Sequence, residues 1–97
     1  MITSRTHTLT VGKDVFELME PYSSESPVAR FIERRGEGVQ YIGLEVMDLD
    51  EAMEELRGKD FRFTSERPVE YPNGSRWAFI HQKEMFGVLF ALIENPP

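Results

Sequence analysis

The stretch that decides the fold runs from Gly38 to Leu56 and has the sequence GVQYIGLEVMDLDEAMEEL. In its first part every second residue is apolar, namely Ile42, Leu44 and Val46. Tyr41, Gly43 and Glu45 lie on the opposite face, a pattern that predicts a buried strand. Asp48 or Asp50 then caps a helix, and the apolar residues of that helix follow at helical spacing: Leu49, Ala52, Met53 and Leu56. The stretch therefore predicts a central strand that leads into an amphipathic helix.

Three more strands are predicted after this helix, at Phe61–Thr64, Arg76–His81 and Val88–Glu94. The segment Arg67–Tyr71 is expected to be extended but irregular, because proline cannot donate a hydrogen bond to a neighbouring strand. A tight turn is predicted at Pro72–Gly74. Residues 39–94 are therefore predicted to form one strand–helix–three-strand (βαβββ) module.

The sequence before the module predicts a β-hairpin and a helix. Thr6–Val11 and Val15–Glu20 alternate as strands do, and a turn at Gly12-Lys13-Asp14 joins them. Ser26 and Pro27 form a helix start, since serine caps the N-terminus and proline fits the first turn. We expect one α+β domain over residues 1–97, with the hairpin and linking helix at 6–35 and the βαβββ module at 39–94.

Composition narrows the class of protein. The chain has 97 residues, enough for one small domain, and a net charge of −6. No basic stripe is present, which disfavours nucleic acid and anionic membranes as partners. The sequence holds no cysteine and no apolar run long enough to cross a bilayer. A cytoplasmic protein is the resulting expectation.

Several short motifs resemble a known family. They are Glu17–Pro21, Ser26–Ala29, Arg35–Gly38, Ile42–Asp48, and His81–Lys83 followed by Gly87–Leu89. In this order and spacing the sequence resembles methylmalonyl-CoA epimerases, which belong with glyoxalase I and bleomycin-resistance proteins to the vicinal-oxygen-chelate superfamily. The resemblance implies a curled mixed sheet in which two βαβββ modules surround a cleft, with a divalent metal and a proton-transferring carboxylate.

The resemblance also implies where metal ligands should lie. Family ligand positions fall at Glu17, Tyr41 and Ala91, and a fourth belongs to an opening strand that has no counterpart here. Of these three side chains only Glu17 is a suitable donor, so we expect no catalytic metal, no cofactor and no catalytic residue. The alternative is a divalent metal held by Glu17 and His7. Because the front of the first module has no counterpart, a homodimer is expected to complete the curled sheet.

The predicted function is small-molecule binding, with an apolar or CoA-like ligand in the cleft. Trp77 and Phe79 alternate on one strand face, which suits either a pocket wall or simple packing. The candidate ligand-binding residues are Glu17, Tyr41, Glu45, Trp77, Phe79 and Ala91. The alternative function is a metal-dependent isomerase or lyase, of the methylmalonyl-CoA epimerase or glyoxalase I type, with rearranged ligands. A third reading is an interaction module that serves only dimerisation. The sequence does not identify the natural ligand.

Overall fold

A computed structural model describes residues 4–97. The chain forms two compact units, Met1–Gln40 and Tyr41–Pro97, which we call the hairpin unit and the sheet unit. The boundary lies close to the predicted division at residue 39, because the hydrogen-bonded part of the central strand begins at Tyr41. A single domain over residues 1–97 stays a prediction.

The hairpin unit contains the two strands and the helix that were predicted. Strand β1 (Ser4–Val11) pairs antiparallel with β2 (Asp14–Pro21), and Gly12 takes the positive φ of 62° that the tight turn needs. Helix α1 (Pro27–Arg35) begins where expected, since the Ser26 Oγ accepts a hydrogen bond from the Ala29 N–H at 3.0 Å. Gly36, at φ 75°, ends the helix.

The sheet unit contains one helix and a four-stranded sheet. Its elements are β3 (Tyr41–Glu45), α2 (Leu49–Gly58), β4 (Val69–Glu70), β5 (Arg76–Ile80) and β6 (Leu89–Glu94), in the sheet order β3-β6-β5-β4. Strand β3 runs parallel to β6, and the other neighbours are antiparallel. The parallel pair needs a crossover connection, and α2 begins that connection. The mixed sheet with its helix confirms the predicted α+β class.

One face of this sheet packs on α2 and forms the core. Leu49 and Met53 of α2 are buried against Ala78, Ile80 and Leu92 of the two central strands. The Asp48 carboxylate caps the helix by accepting from the Glu51 N–H at 3.0 Å. The predicted apolar stripe of this helix is therefore the stripe that it buries.

Three details of the sequence-based prediction are wrong. The central strand is not buried: Ile42 is 38% exposed and Leu44 is 47% exposed, because α2 covers β5 and β6 while β3 lies at the edge of the sheet. The predicted strand Phe61–Thr64 contributes only a single bridge, between Phe63 and Ile80. The short strand β4 instead forms inside the segment that was expected to be irregular.

Candidate functional site

The face of the sheet opposite α2 carries most of the predicted ligand-binding residues. Strand register places Gly43, Ala91 and Phe79 in one row across the sheet, and Glu45, Ile93 and Trp77 in the next. We call this surface the open face and define it by eight residues: Tyr41, Gly43, Glu45, Trp77, Phe79, Leu89, Ala91 and Ile93. Five of the six residues selected from the sequence lie on it, because alternation along a strand fixes which side chains share a face.

Aromatic rings form a connected cluster on the open face. The Trp77 ring lies 5.9 Å from the Tyr41 ring, edge to face, and 5.9 Å from the Phe79 ring. Tyr71 joins the cluster at 5.5 Å from Trp77, also edge to face. Such arrangements suit the aromatic quadrupole. Sequence reasoning missed Tyr71, although its position beside the Pro72–Gly74 turn and next to β4 could have placed it there.

Trp77 is held in place by polar neighbours at the edge of its ring. Its indole Nε1–H donates to the Ser75 Oγ at 3.0 Å, and that hydroxyl donates to the Asn73 Oδ1 at 2.7 Å. The same Asn73 oxygen accepts from the Ser75 backbone N–H at 2.9 Å, and Ser75 is 2% exposed. The turn residues therefore fix the orientation of the central ring of the cluster.

Small residues at the middle of the open face let the rings lie close to the sheet. A Cβ on Gly43 would lie 2.9 Å from the Ile93 Cδ1 and 3.7 Å from the Tyr41 Cε2, so both side chains lean over this position. Ala91, paired with Gly43 on the neighbouring strand, is fully buried. A ligand would therefore contact the rings first, and would reach Ala91 only if a ring moved aside.

Glu45 is the single charged residue among the eight that define the open face. Its Oε2 accepts a hydrogen bond from the Asn95 amide nitrogen at 2.5 Å. No basic side chain belongs to this set, so the face combines aromatic surface with one carboxylate.

Glu17 and His7 belong to the hairpin unit, where the strand register separates them. Glu17 pairs with Thr8, whereas His7 pairs with Leu18, so the two side chains point to opposite faces of the hairpin. His7 instead places its Nε2 3.5 Å from the Glu20 Oε2. Within one hairpin, Glu17 and His7 do not converge on a common ion.

The donor set does not fit the divalent metal that the resemblance implies. The open face offers Tyr41 and Ala91 at two ligand positions, and neutral tyrosine and alanine are not ligands that such an ion prefers. Its one carboxylate, Glu45, is engaged by Asn95. Within residues 4–97, no three histidine, aspartate or glutamate side chains lie together as a metal-binding group.

Arg76 forms two ion pairs beside α2, on the other side of the sheet. Arg76 donates from Nη2 to the Asp50 Oδ1 at 2.9 Å and from Nη1 to the Glu94 Oε1 at 3.0 Å. The hydrogen bond from Arg76 holds the pKa of the Asp50 carboxyl below its usual range. The second Glu94 oxygen, Oε2, accepts from the Leu49 N–H at 2.7 Å, so one carboxylate joins the sheet to the start of α2. These groups already have protein partners and support the fold.

Comparison with known proteins identifies the family. Residues 5–79 match the family model described as glyoxalase/bleomycin resistance protein/dioxygenase superfamily. The chain is 34% identical over 83 residues to the uncharacterized protein YqjC of Bacillus subtilis, an alignment that covers 86% of this chain and 59% of that protein. It is 33% identical over 80 residues to the mitochondrial methylmalonyl-CoA epimerase of Dictyostelium discoideum, which covers 81% of this chain and 48% of that enzyme.

A solved structure agrees with this match. The crystal structure of methylmalonyl-CoA epimerase from Mycobacterium tuberculosis aligns with a TM-score of 0.77 and 34% identity, covering 98% of this chain and 65% of that one. The chain spans about half the length of the curated relatives it matches. No helix within residues 4–97 is long and apolar enough to span a bilayer. Because the family model matches most of its length, the chain belongs to the glyoxalase/bleomycin resistance protein/dioxygenase superfamily.

Proposed function

We propose that this chain is a small-molecule-binding member of the superfamily that takes an apolar ligand, or the acyl part of a CoA-like ligand, on its open face. The observation that carries the proposal is the connected cluster of Tyr41, Tyr71, Trp77 and Phe79 on a sheet face that α2 does not cover. Ligand sites are mostly apolar surfaces with a few placed polar groups, and Glu45 is such a group here.

The proposal does not include a catalytic metal. A metal that stabilises an enolate needs several protein ligands. At the open-face positions where the family resemblance places such ligands, this chain has a tyrosine and an alanine. Aromatic surface binds through contact area and ring stacking, which require no ion. Binding without chemistry is therefore the function that these side chains support best.

The ligand class follows from the charge of the face. The relatives named methylmalonyl-CoA epimerase are the ground for the CoA-like part of the proposal. No basic residue is among those that define the open face, so the phosphates of such a ligand would have to bind elsewhere. An apolar acid or an aromatic compound fits the face without that requirement.

A homodimer is part of the proposal, and a cytoplasmic location stays an expectation from the sequence. Strand β3 lies at the edge of the described sheet, and an edge strand is stable when something covers or pairs with it. A second copy, related by a twofold axis, would supply such cover.

The chain contains a single tryptophan, Trp77, at the centre of the cluster, which makes its fluorescence a direct test. The protein is titrated with short-chain acyl-CoAs, the corresponding free acids, and aromatic acids while Trp77 emission is recorded. At least one class should give a saturable change. Tyr41→Ala should weaken that binding about tenfold, since a hot-spot aromatic contributes above about 1 kcal/mol.

Tyr22→Ala is the matched control, because it also removes a tyrosine ring, but from the hairpin unit. There the Tyr22 hydroxyl accepts a hydrogen bond from the Arg5 Nε. It should leave the affinity within about twofold, as expected for a residue outside the binding surface. A panel with no saturable response, or equal losses for the two tyrosine variants, would contradict binding at the open face.

The similarity to epimerases supports one alternative, a metal-dependent isomerase or lyase whose ligands come partly from a second subunit. Elemental analysis of the purified protein, together with epimerase and glyoxalase assays at added Co²⁺ or Ni²⁺, separates the two functions. Stoichiometric metal with turnover would establish the alternative. Ligand binding with neither metal nor turnover would support the proposal.

A further inference from the structure

Glu45 lies at one end of the open face, in the same row as Ile93 and Trp77. Strand β6 separates Glu45 from Trp77, so their backbones are about 10 Å apart. A ligand that lies on the Trp77 ring and passes over Ile93 therefore reaches the Glu45 carboxylate. The charge of this carboxylate then influences which polar group the ligand can carry at that end.

The Glu45 carboxylate can accept further hydrogen bonds. Its partner Asn95 is a neutral amide that bonds Oε2, so this contact does not compensate the negative charge. An ionised carboxylate has about four acceptor positions on its two oxygens. Glu45 and Asn95 are both exposed, which lets a ligand approach them from solvent. A positively charged hydrogen-bond donor is the group that such an acceptor binds most strongly.

A cleft of about 600 Å³ opens beside Glu45 at the end of the sheet. Asn95, Pro96 and Met47 line it together with Glu45, and Met47 is 99% exposed. In the part of the chain that the structure describes, no lysine, arginine or histidine belongs to this lining. The cleft therefore offers space for the polar end of a ligand, with no basic side chain to favour an anion.

The aromatic cluster adds a second attraction for positive charge. The faces of aromatic rings are electron-rich, and a cation within about 6 Å of a ring centre is attracted to them. Tyr71 is 43% exposed, and Tyr41, Trp77 and Phe79 are partly exposed, so ring surface is accessible to a ligand. An anion gains nothing from these ring faces. The rings and the carboxylate therefore favour the same sign of charge.

We infer that the open face selects ligands that carry an ammonium group, and that Glu45 determines this preference. The apolar part of the ligand lies on Trp77 and Ile93, and its ammonium group donates a hydrogen bond to the Glu45 carboxylate. The net charge of −6 also favours the approach of cations over anions.

This inference rests on the proposed function and narrows its ligand class to aromatic or aliphatic amines. An apolar acid can still contact the rings, but it has to turn its own carboxylate away from Glu45 because like charges repel. A neutral compound of the same shape should lie between the two in affinity.

The expected preference is moderate because Glu45 is exposed. An exposed ion pair and a cation near an exposed ring each change affinity by about twofold to fivefold. Together they predict that an amine binds about tenfold more tightly than a neutral compound of the same shape. Salt should reduce this difference, since it screens charges that are exposed to solvent.

Three compounds with one phenylpropyl skeleton test the preference: phenylpropylamine, phenylpropanol and phenylpropionic acid. Each is titrated into the full chain at neutral pH and low salt while Trp77 emission is recorded. The amine should bind about tenfold more tightly than the alcohol, and the acid about threefold more weakly than the alcohol. Raising the salt to about 0.5 M should bring the three dissociation constants closer together.

Glu45→Gln removes the charge and nearly preserves the shape of the side chain. The advantage of the amine over the alcohol should fall to about threefold, the part that the rings supply. The alcohol should bind this variant within about twofold of the wild type, which shows that the aromatic cluster is intact. Glu70→Gln is the matched control: Val69 pairs with Trp77, so its neighbour Glu70 points to the opposite face. This control should keep the full preference for the amine.

Two results would overturn the inference while leaving the proposed function in place. One is an alcohol or acid that binds wild type as tightly as the amine does. The other is a preference for the amine that Glu45→Gln and Glu70→Gln retain equally. Absence of saturable binding by all three compounds would contradict the proposed function itself, and the inference with it.

Discussion

The two units of this chain bury their apolar residues to very different degrees. In the sheet unit, α2 packs on the sheet and leaves Leu49 fully buried and Met53 3% exposed. In the hairpin unit, Leu9 and Phe16 are more than half exposed, although the strands are longer and fully paired with each other. Neighbouring strands are therefore regularly paired in both units, whereas a buried apolar core is found on the α2 side of the sheet unit.

The difference shows that hydrogen bonding and burial are separate requirements for a sheet. A hairpin satisfies the backbone groups between its strands, but hydrogen bonds add little net stability compared with removing apolar surface from water. The sheet unit meets both requirements on the α2 side, and its open face retains aromatic surface that a ligand can cover. The hairpin unit meets the first requirement along its two strands and leaves Leu9 and Phe16 more than half exposed.

The largest expected effect contrasts one substitution at two positions. Leu49→Ala should lower the free energy of unfolding by about 3 kcal/mol, because it leaves a cavity in the core. Leu9→Ala removes the same atoms from a half-exposed site and should cost less than about 1 kcal/mol in dilute, monomeric protein. Urea unfolding measures both, followed by Trp77 emission for the sheet unit and by far-ultraviolet circular dichroism for the loss of the hairpin strands. Similar losses at the two positions would show that the hairpin unit has a core as tight as that of the sheet unit.

A smaller effect is expected at the carboxylate that joins α2 to the sheet. Glu94→Gln should cost about 1–2 kcal/mol, because it weakens the bonds to Arg76 and to the Leu49 N–H at the helix start. Glu54→Gln, on the exposed side of the same helix, is the control and should change stability by less than about 0.5 kcal/mol. If both variants unfold at the same urea concentration, the Glu94 carboxylate does not stabilise the packing of α2 on the sheet.

The open face can be perturbed without touching the core. Gly43→Ala would place a methyl group against Ile93 and beside Tyr41, and should cost about 1 kcal/mol while shifting Trp77 emission. Gly38→Ala is the control, since a Cβ there meets nothing within 4 Å. Emission that stays unchanged in Gly43→Ala would mean that the Tyr41 and Trp77 rings are not packed as described.

The smallest expected effect is a pH dependence. The pKa of Asp50 is lowered by the hydrogen bond from Arg76, so the ionised carboxylate stabilises the folded state. This contribution is present above the usual value of 3.8 and is lost as the pH falls through that value and below it. Asp50→Asn should therefore lower the melting temperature slightly at pH 7 and leave it unchanged near pH 2. A difference that persists at pH 2 would assign the effect to something other than charge.

Much of the fold could be predicted from local signals. Ser26 with Pro27, and Asp48 before an apolar stripe, mark the two helix starts because capping depends on neighbouring residues only. Alternation within β3 put Tyr41 and Glu45 on one face, and alternation within β5 put Trp77 and Phe79 on one face, but the register that joins these faces could not be read from alternation. The exposure of Ile42 could not be predicted, because it depends on which strands α2 covers, and that is set by tertiary packing.

The candidate site was predictable in part for the same reason. Strand alternation gives the face of a residue but not the neighbours of its ring, so the contact between Tyr71 and Trp77 was missed. The burial of Ala91 also depends on side chains from neighbouring strands. The hairpin register also decides the positions of Glu17 and His7. Glu17 lies opposite Thr8 and shares its face, and His7, the neighbour of Thr8, points to the other face.

The central claim is that the open face binds a ligand through aromatic surface and without a metal. The direct measurement is a Trp77 emission titration of EDTA-treated protein with the ligand class found to bind, repeated after addition of Co²⁺. We predict a saturable change with the same dissociation constant in both conditions. Binding that appears only after Co²⁺ is added would contradict the account.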